Sequence, residues 1–450
     1  MLNLKKILDE YSGNFHQLIN ELQNTFEFNF IMYFKINNLN GYEYPNIENY
    51  LATNDIPESF NFIFPNQCSS ITFKFFCELE NIYQGLDEEY FINLLKKNSN
   101  KNIFYLTPFD KLSLEKYLIV SYNLEITVTL AFDMLSINFH KIKKNNTKFN
   151  ELEIKLANIF QTPFKRKNFF LKVPDEIISL KKEKNQIIGA IDLAKTQMNI
   201  GECYLANIAY TKKLETCKFP DPYEFFVSWS QVLSRFAIYI NTKEIGIASL
   251  SPERFLQKIG KYVLAEPIKG TLKSEHEYPN HNDALTLWQN KKEIYEHTMI
   301  VDLLRNDLYS VSKPESVKVF KPFYARIAGS LLQMQSFVIG ELKESMTLGD
   351  CLEKMLPAGS ISGTPKKNVC ELIHKLEENC RGYYTGICGV QQANGDFDSI
   401  ILIRTLFKGK LGLYVGVGAG ITTLSNTEDE YNELNIKMNS FAALVSGKLL

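Results

Sequence analysis

Residues 386–421 read GICGVQQANGDFDSIILIRTLFKGKLGLYVGVGAGI, and this stretch decides the fold class. Runs rich in β-branched and aromatic residues are separated by two glycine-centred turns, NGD at 394–396 and KGK at 408–410. Short turns of this kind join neighbouring antiparallel strands. The stretch therefore predicts consecutive antiparallel strands rather than the strand–helix alternation of a doubly wound sheet.

Other segments extend this pattern along the chain. FNFIMYFKIN (28–37), EITVTLAFDM (125–134) and ECYLANIAYTKKL (202–214) read as strands, and residues 249–271 read as strand, turn, strand. Apolar residues at helical spacing predict a long helix over about 283–308 and a final helix over about 427–444. We expect an α+β protein with a strand-rich part over residues 1–170, packed on or interleaved with a second domain over residues 171–450.

Composition limits the classes of function. The chain has 450 residues, of which 45% are hydrophobic, and a formal net charge of −1. This balance gives no support for nucleic acid or an anionic membrane as a partner. No apolar run approaches the roughly 18 residues of a membrane span. The eight cysteines contain no C-x-x-C pair and read as reduced thiols, so we expect a soluble, cytoplasmic protein.

The segment PAGSISGTPKK (357–367) resembles a phosphate-binding loop without matching one. A P-loop needs G-x-x-x-x-G-K-[ST], whereas three residues separate Gly359 from Gly363 and Lys366 follows Pro365. Pro365 suits the first position of a helix, and the amides from Ser360 to Gly363 would then point at an anion. A capped turn without a ligand remains the alternative.

The segment GVGAGIT (416–422) is spaced G-x-G-x-G, not G-x-G-x-x-G, so a dinucleotide site is not expected. Gly416, Gly418 and Gly420 either let the backbone approach a small ligand or bend a strand.

Two pairs of glutamates lie at helical spacing. Glu293 and Glu296 share a helix face with His297, and Glu430 and Glu433 repeat the spacing with Lys437 on the last helix. Carboxylates on a partly apolar face must be paired, protonated or metal-bound. Oxygen ligands favour Mg²⁺ over Zn²⁺. Two solvated helix faces remain the alternative.

Lys269, in AEPIKGT (265–271), has small and apolar neighbours. A lysine in such a setting can lose its proton readily and act as a base or nucleophile. Taken alone, it reads equally as a surface lysine at the end of a strand.

In this order, these segments resemble the chorismate-utilising enzymes. The resemblance is carried by SPERF (251–255), EPIKGT (266–271), KKEIYEHTMIVDLLRNDL (291–308), LPAGSISGTPKKNVCELI (356–373), RGYYTGICG (381–389), DSIILIRT (398–405), GVGAGI (416–421) and EDEYNELNIK (428–437). It covers residues 180–450 densely and implies that residues 171–450 form the chorismate-binding catalytic domain. It implies the family's fold, which is two orthogonally packed antiparallel β-sheets flanked by helices.

The resemblance also implies roles for the acids. By position, Glu296 and Glu433 are the principal ligands of one Mg²⁺ that grips the ring carboxylate of chorismate, with Glu293 and Glu430 close by or bound through water. Glu293 also matches the general acid that helps the C4 hydroxyl to leave.

A substrate pocket follows from the same resemblance. Lys437 and the backbone at Gly418, Ala419 and Gly420 match the ring-carboxylate site. Tyr384 and Arg404 match the residues that hold the enolpyruvyl carboxylate, a task that suits the arginine fork. Ser360 matches a substrate-contacting hydroxyl, and Gly270 and Thr271, which adjoin Lys269, are also expected to bind the substrate.

Lys269 is the residue that separates the subfamilies. Anthranilate synthases usually carry Ala in the PIKGT element, whereas aminodeoxychorismate synthases carry Lys. There the lysine is proposed to attack C2 of chorismate as the C4 hydroxyl leaves, and ammonia then enters at C4 and expels it. Glu253 matches the carboxylate that manages the lysine's proton. The resemblance thus implies 4-amino-4-deoxychorismate, for 4-aminobenzoate and folate synthesis.

One element departs from the family. Gln333 stands where members that expel pyruvate usually have a His in an H-x-x-S element, which opposes an anthranilate or salicylate product. We find no glutaminase signature, so ammonia should come from a separate glutamine amidotransferase subunit. The alternatives are anthranilate synthase component I, isochorismate synthase, and an inactive chorismate-binding sensor.

Overall fold

The computed structural model describes residues 12–26, 30–37, 70–109, 113, 115, 117–131, 134–141, 147–159, 179–215, 217–232, 234–276, 279–328, 331–377, 379–439 and 441. In those ranges the α-helices are α1 Ser12–Phe26, α2 Glu88–Lys97, α3 Thr147–Ile159, α4 Lys184–Asn199, α5 Pro222–Val232, α6 His281–Gln289, α7 Lys291–Val311, α8 Leu348–Met355, α9 Lys366–Leu376 and α10 Thr427–Asn439. The strands are β1 Phe30–Asn37, β2 Ser70–Leu86, β3 Ile103–Thr107, β4 Tyr117–Ala131, β5 Met134–Lys141, β6 Leu205–Lys213, β7 Phe236–Asn241, β8 Gly246–Ser249, β9 Arg254–Ile259, β10 Tyr262–Ala265, β11 Ile268–Lys273, β12 Lys318–Ala328, β13 Leu331–Glu341, β14 Gly363–Thr364, β15 Ile387–Gln391, β16 Phe397–Ile401, β17 Thr405–Gly409 and β18 Gly412–Ile421.

The strands form two antiparallel sheets that share one strand. The first runs β5-β4-β2-β1-β7-β8-β17-β18-β6-β14, and the second runs β3-β15-β16-β9-β10-β13, with β11 and β12 also paired to β13. They meet at β4, which also pairs with β3. The predicted α+β class, with two antiparallel sheets flanked by helices, is confirmed.

The stretch that decides the fold forms β15 to β18 in unbroken succession. Gly395 has φ +82° in the turn between β15 and β16, a conformation that favours glycine. The second turn lies slightly later than the sequence predicts. Gly409 pairs with Gly412, which has φ +85°, so the loop is Lys410 and Leu411 rather than the KGK triplet.

Strands from residues 1–170 pair with strands from the later part of the chain. β1 pairs with β7, and β3 pairs with β15, so strands from residues 1–170 lie within the sheets built by later residues. The predicted boundary between residues 170 and 171 lies outside the described residues. In the described part of the chain, no helix has the length and apolar character needed to cross a membrane.

The helix predicted over 283–308 is two helices. α6 ends at Gln289, and α7 begins at Lys291 because the Asn290 side chain accepts hydrogen bonds from the Lys292 and Glu293 amides. Asparagine is a preferred N-cap, and its competing side-chain bonds break an otherwise continuous apolar pattern. α10 ends at Asn439, and most of the predicted extension to 444 lies outside the described residues.

Candidate active site

A bulge in β11 places Lys269 beside α7. The pairing with β13 shifts between Lys269 and Thr271, where Gly270 has φ +75°. A Cβ at Gly270 would lie 3.3 Å from Glu293 Oε2. Only glycine allows the strand this conformation and this close approach to the helix. Thr271, predicted as a substrate contact, is exposed and pairs with Gln333.

The acidic face of α7 points into the protein as predicted. Glu296, His297, Ile300 and Leu304 are buried, and Glu293 is half-buried in the first turn. His297 Nε2 lies 2.7 Å from Ser336 Oγ, and burial, with a smaller effect from the Lys269 charge, lowers its pKa to about 4. His297 is therefore neutral at physiological pH.

Helices α7 and α10 bring the four predicted metal-ligating acids into one neighbourhood, bridged by lysines. Lys292 forms an ion pair with buried Glu430, and its Nζ lies 3.7 Å from Glu296 Oε1. On α10, Lys437 Nζ lies 2.6 Å from Glu433 Oε1 and donates to the Gly418 carbonyl at 2.9 Å. The sequence analysis missed Lys292, although its i,i+4 spacing to Glu296 was a usable signal.

Glu253 and Ser360 meet at the edge of this cluster. Glu253 is buried, and burial raises the pKa of its carboxyl, while the Lys269 charge and a hydrogen bond from Ser360 oppose the rise. Burial likewise raises the pKa of Glu293, against which Lys269 acts. Lys269 therefore lies within electrostatic reach of both Glu253 and Glu293, the other two predicted catalytic residues.

An ion pair of Lys366 anchors the PAGSISGTPKK segment to α7. Lys366 Nζ lies 2.7 Å from both carboxylate oxygens of Asp307 and donates to the Met355 carbonyl. The amides of Ile361 and Ser362 donate inside the turn. The expectation that the amides of this segment point at an anion is therefore wrong for these two, because the tight turn uses them.

The segment differs from expectation at its proline as well. Pro365 is the N-cap residue and α9 begins at Lys366, so Pro365 does not occupy the first helical position. What this segment presents to the cluster is the Ser360 hydroxyl.

The glycine row of β18 lies beside the cluster. A Cβ at Gly416 would fall 2.2 Å from the Tyr384 ring, and one at Gly418 would fall 2.7 Å from Asn207 Oδ1. A Cβ at Gly420 would lie 3.4 Å from Glu296 Oε2 and 3.6 Å from Lys269 Nζ, so Gly420 adjoins the charged groups. Gly416 and Gly418 admit protein side chains, and the approach of a small ligand to this strand stays a prediction. Ala419 lies between them and is buried.

Tyr384 and Arg404 lie on adjacent segments, because the Thr385 amide donates to the Leu402 carbonyl at 2.9 Å. Burial raises the pKa of Tyr384, so its hydroxyl stays protonated. Burial lowers the pKa of Arg404, and φ is +51° there. Within the described residues, the Arg404 guanidinium has no hydrogen bond or ion pair. It is a cation available to an anionic group.

Asn207, on β6, is a residue that the sequence analysis missed. Its buried Oδ1 has no hydrogen-bond partner among the described residues, and it lies over Gly418 beside the Tyr384 hydroxyl. Buried amides normally find partners. No local pattern distinguishes this asparagine from others in a strand, so only the fold reveals it.

The donor chemistry of the acids suits Mg²⁺. Buried Glu296 Oε1 has no hydrogen-bond partner among the described residues, and the neighbouring groups are carboxylates, which hard cations prefer. As arranged, no three His, Cys, Asp or Glu side chains of the described ranges converge on one point, because lysines lie between them.

Burial raises the pKa of Glu296 to about 7; Lys269 and Lys292 lower it, and Glu293 and Glu430 add to the rise. In EDTA, we expect Glu296→Gln to gain stability over the parent protein as pH rises from 4.5 to about 7. In that window the unfolded parent releases a proton that folded Glu296 keeps, so the parent loses stability. The full difference is about 3 kcal/mol. Urea denaturation at either end of the window measures it, and parallel pH profiles would contradict it.

The family described as chorismate binding enzyme matches residues 110–443. The chain therefore belongs to the family of chorismate-binding enzymes.

Among curated relatives, aminodeoxychorismate synthase component 1 of Salmonella typhimurium is 32% identical over 244 residues, covering 54% of this chain and 53% of that protein. Anthranilate synthase alpha subunit 2 of Arabidopsis thaliana is 29% identical over 311 residues, which cover 63% of this chain and 50% of that protein. The chain thus spans about half the length of these relatives. An uncharacterized PabA-like protein of Haemophilus influenzae is 35% identical over 249 residues, which cover 54% of this chain and 71% of that protein.

Two solved structures share the fold. The menaquinone-specific isochorismate synthase of Escherichia coli aligns with a TM-score of 0.64 at 15% identity, covering 94% of this chain and 90% of that one. Anthranilate synthase component I of Streptococcus pneumoniae aligns with a TM-score of 0.62 at 22% identity, and the alignment covers 78% of this chain and 85% of that one.

Proposed function

We propose that this protein aminates chorismate at C4, giving 4-amino-4-deoxychorismate for 4-aminobenzoate and folate synthesis, with Mg²⁺ as its metal. The observation that carries the proposal is the position of Lys269. It lies near both Gly420 of β18 and the acids of α7, where a bound ring would present its reacting carbons.

The chain's own residues supply the proton transfers and the nucleophile. Glu253 takes a proton from Lys269, whose amine forms a bond to C2 while the C4–O bond breaks. Glu293, whose raised pKa favours a protonated carboxyl, gives its proton to the departing hydroxyl, which leaves as water. Ammonia then forms the C4–N bond, and the C2–N bond to Lys269 breaks. The balance is chorismate plus ammonia to aminodeoxychorismate plus water.

The remaining residues position the substrate. Arg404 and the Tyr384 hydroxyl hold the enolpyruvyl carboxylate, and Ser360 contacts the substrate beside Glu253. Lys437 and the backbone from Gly418 to Gly420 border the ring carboxylate. Glu296 and Glu433, with Glu293 and Glu430 near them, would hold Mg²⁺, which when bound neutralises the ring carboxylate.

Ammonia comes from a separate glutamine amidotransferase subunit in this proposal, and the enzyme acts in the cytoplasm. Relatives named anthranilate synthase make anthranilate synthase component I the second candidate. Lys269 and Gln333 oppose it, since they depart from the pattern of that subfamily. Isochorismate synthase is the third candidate, and it would use water in place of ammonia.

We expect mass spectrometry of reactions containing chorismate and Mg²⁺ to detect an amino-deoxychorismate that keeps its enolpyruvyl group, and only when ammonium is present. Ammonium supplies the nitrogen directly, so no partner subunit is needed. Anthranilate as the product, or isochorismate formed without ammonium, would reject the proposal in favour of the corresponding alternative.

A further inference from the structure

Lys292 lies between the two acidic helices. Its ammonium forms an ion pair with Glu430, which is 1% exposed, and its Nζ lies 3.7 Å from Glu296 Oε1. These contacts bridge α7 to α10, the two helices that carry all four candidate metal ligands. Together with Lys269 and Lys437, Lys292 thus compensates carboxylates that would otherwise repel one another across the helix interface.

The compensation is incomplete at Glu296. Its side chain is 8% exposed, and its Oε1 has no hydrogen-bond partner in the described part of the chain, since Lys292 is too distant to donate to it. A buried carboxylate oxygen without a donor is costly. The oxygen is therefore available to a further positively charged ligand close to the position of the Lys292 ammonium.

We propose that the Lys292 ammonium is an exchangeable internal cation, which holds Glu296 and Glu430 together in the free protein and leaves when a divalent cation binds between them. This inference rests on the proposed function for the identity of the metal. It goes beyond that proposal because it assigns a role to a residue outside the ligand set and makes metal binding an exchange of one cation for another.

The geometry allows Lys292 to leave without unfolding. It lies in the first turn of α7, and its side chain is 27% exposed, so its long flexible stem can swing into solvent. The helix start itself is held by Asn290, which caps through the backbone amides of Lys292 and Glu293 and does not need the lysine side chain. Glu430, by contrast, is fixed in the interior.

The test is calorimetric titration of the full chain with Mg²⁺ alone. We expect Lys292→Gln to bind Mg²⁺ about tenfold more tightly than the parent protein, because the competing charge is gone. Lys292→Arg keeps the charge and should bind no more tightly than the parent. Lys291→Gln is the matched control, since Lys291 is an exposed neighbour on the same helix, and it should match the parent.

A second measurement separates exchange from a structural role. In EDTA, Lys292→Gln should melt at a lower temperature than the parent, and Mg²⁺ should raise its melting temperature more than it raises the parent's. Unchanged or weaker Mg²⁺ binding by folded Lys292→Gln would overturn the inference, as would equally tightened binding by Lys292→Arg. Both measurements contain Mg²⁺ but no chorismate, so their outcome does not depend on whether the protein catalyses the amination reaction.

Discussion

In the Lys269→Ala variant, the ammonium-dependent conversion of chorismate should fall by about 10³-fold or more in kcat/KM, because the variant lacks the nucleophile. The bulge at Gly270 turns Lys269 toward the acids of α7, and a Cβ at Gly420 would lie 3.6 Å from its Nζ. The measurement is the initial rate of chorismate loss at saturating ammonium and Mg²⁺.

The matched control is Lys273→Ala, on the same strand but exposed, which should keep the parent rate. Chorismate affinity of Lys269→Ala, measured by calorimetry, should change far less than its rate, since Arg404 and Tyr384 remain. Parent-like turnover in Lys269→Ala would show that ammonia attacks without the lysine. In the parent protein without ammonium, intact-protein mass spectrometry should detect an adduct of chorismate less water, which Lys269→Ala cannot form.

The sequence was sufficient for residues whose neighbours along the chain carry the signal. The face of Glu296, His297, Ile300 and Leu304 follows from 3.6-residue periodicity, and the structure buries it. The antiparallel run from 386 to 421 follows from its turns and strand-forming residues. Both patterns are local, so they can be recognised without knowledge of the rest of the fold.

What the sequence did not reveal depends on contacts between distant segments. Lys292 meets Glu430 across 138 positions, and Asn207 lies over Gly418 only because β6 pairs with β18. The break at Asn290 was missed for another reason, since a hydrophobic pattern does not register a side chain that caps the backbone. The sharing of β4 between the two sheets likewise has no local signature.

A buried ionic network supports the strand that carries Lys269. Glu266, fully buried just before β11, accepts hydrogen bonds from Arg235 at 2.6 Å and from Gln335 at 2.9 Å, and it pairs with buried Arg254. The Arg254 Nε also lies 2.7 Å from Asp398 Oδ1. The Lys35 Nζ, on β1, lies 3.0 Å from the second carboxylate oxygen, Asp398 Oδ2. The network thus links four strands of the two sheets, β1, β9, β13 and β16, to the start of β11.

The charges of this network depend on one another. Burial raises the pKa of Asp398, but Arg254 and Lys35 outweigh it and hold the pKa of that carboxyl below its ordinary value. A buried ion pair adds little net stability compared with apolar packing, yet breaking one leaves a charge uncompensated in a low-dielectric interior. Loss of one member should therefore cost far more than loss of a surface pair.

We expect Glu266→Gln to lower the free energy of unfolding by about 3 to 5 kcal/mol, because Arg235 and Arg254 each lose a buried carboxylate partner. Urea denaturation at neutral pH measures the change. Glu353→Gln is the matched control, since Glu353 pairs with Lys96 on the surface with more than half of its side chain exposed, and it should leave stability unchanged. If the two variants proved equally stable, the network would not hold β11 in place, and the position of Lys269 would have to depend on the bulge and its packing against α7 alone.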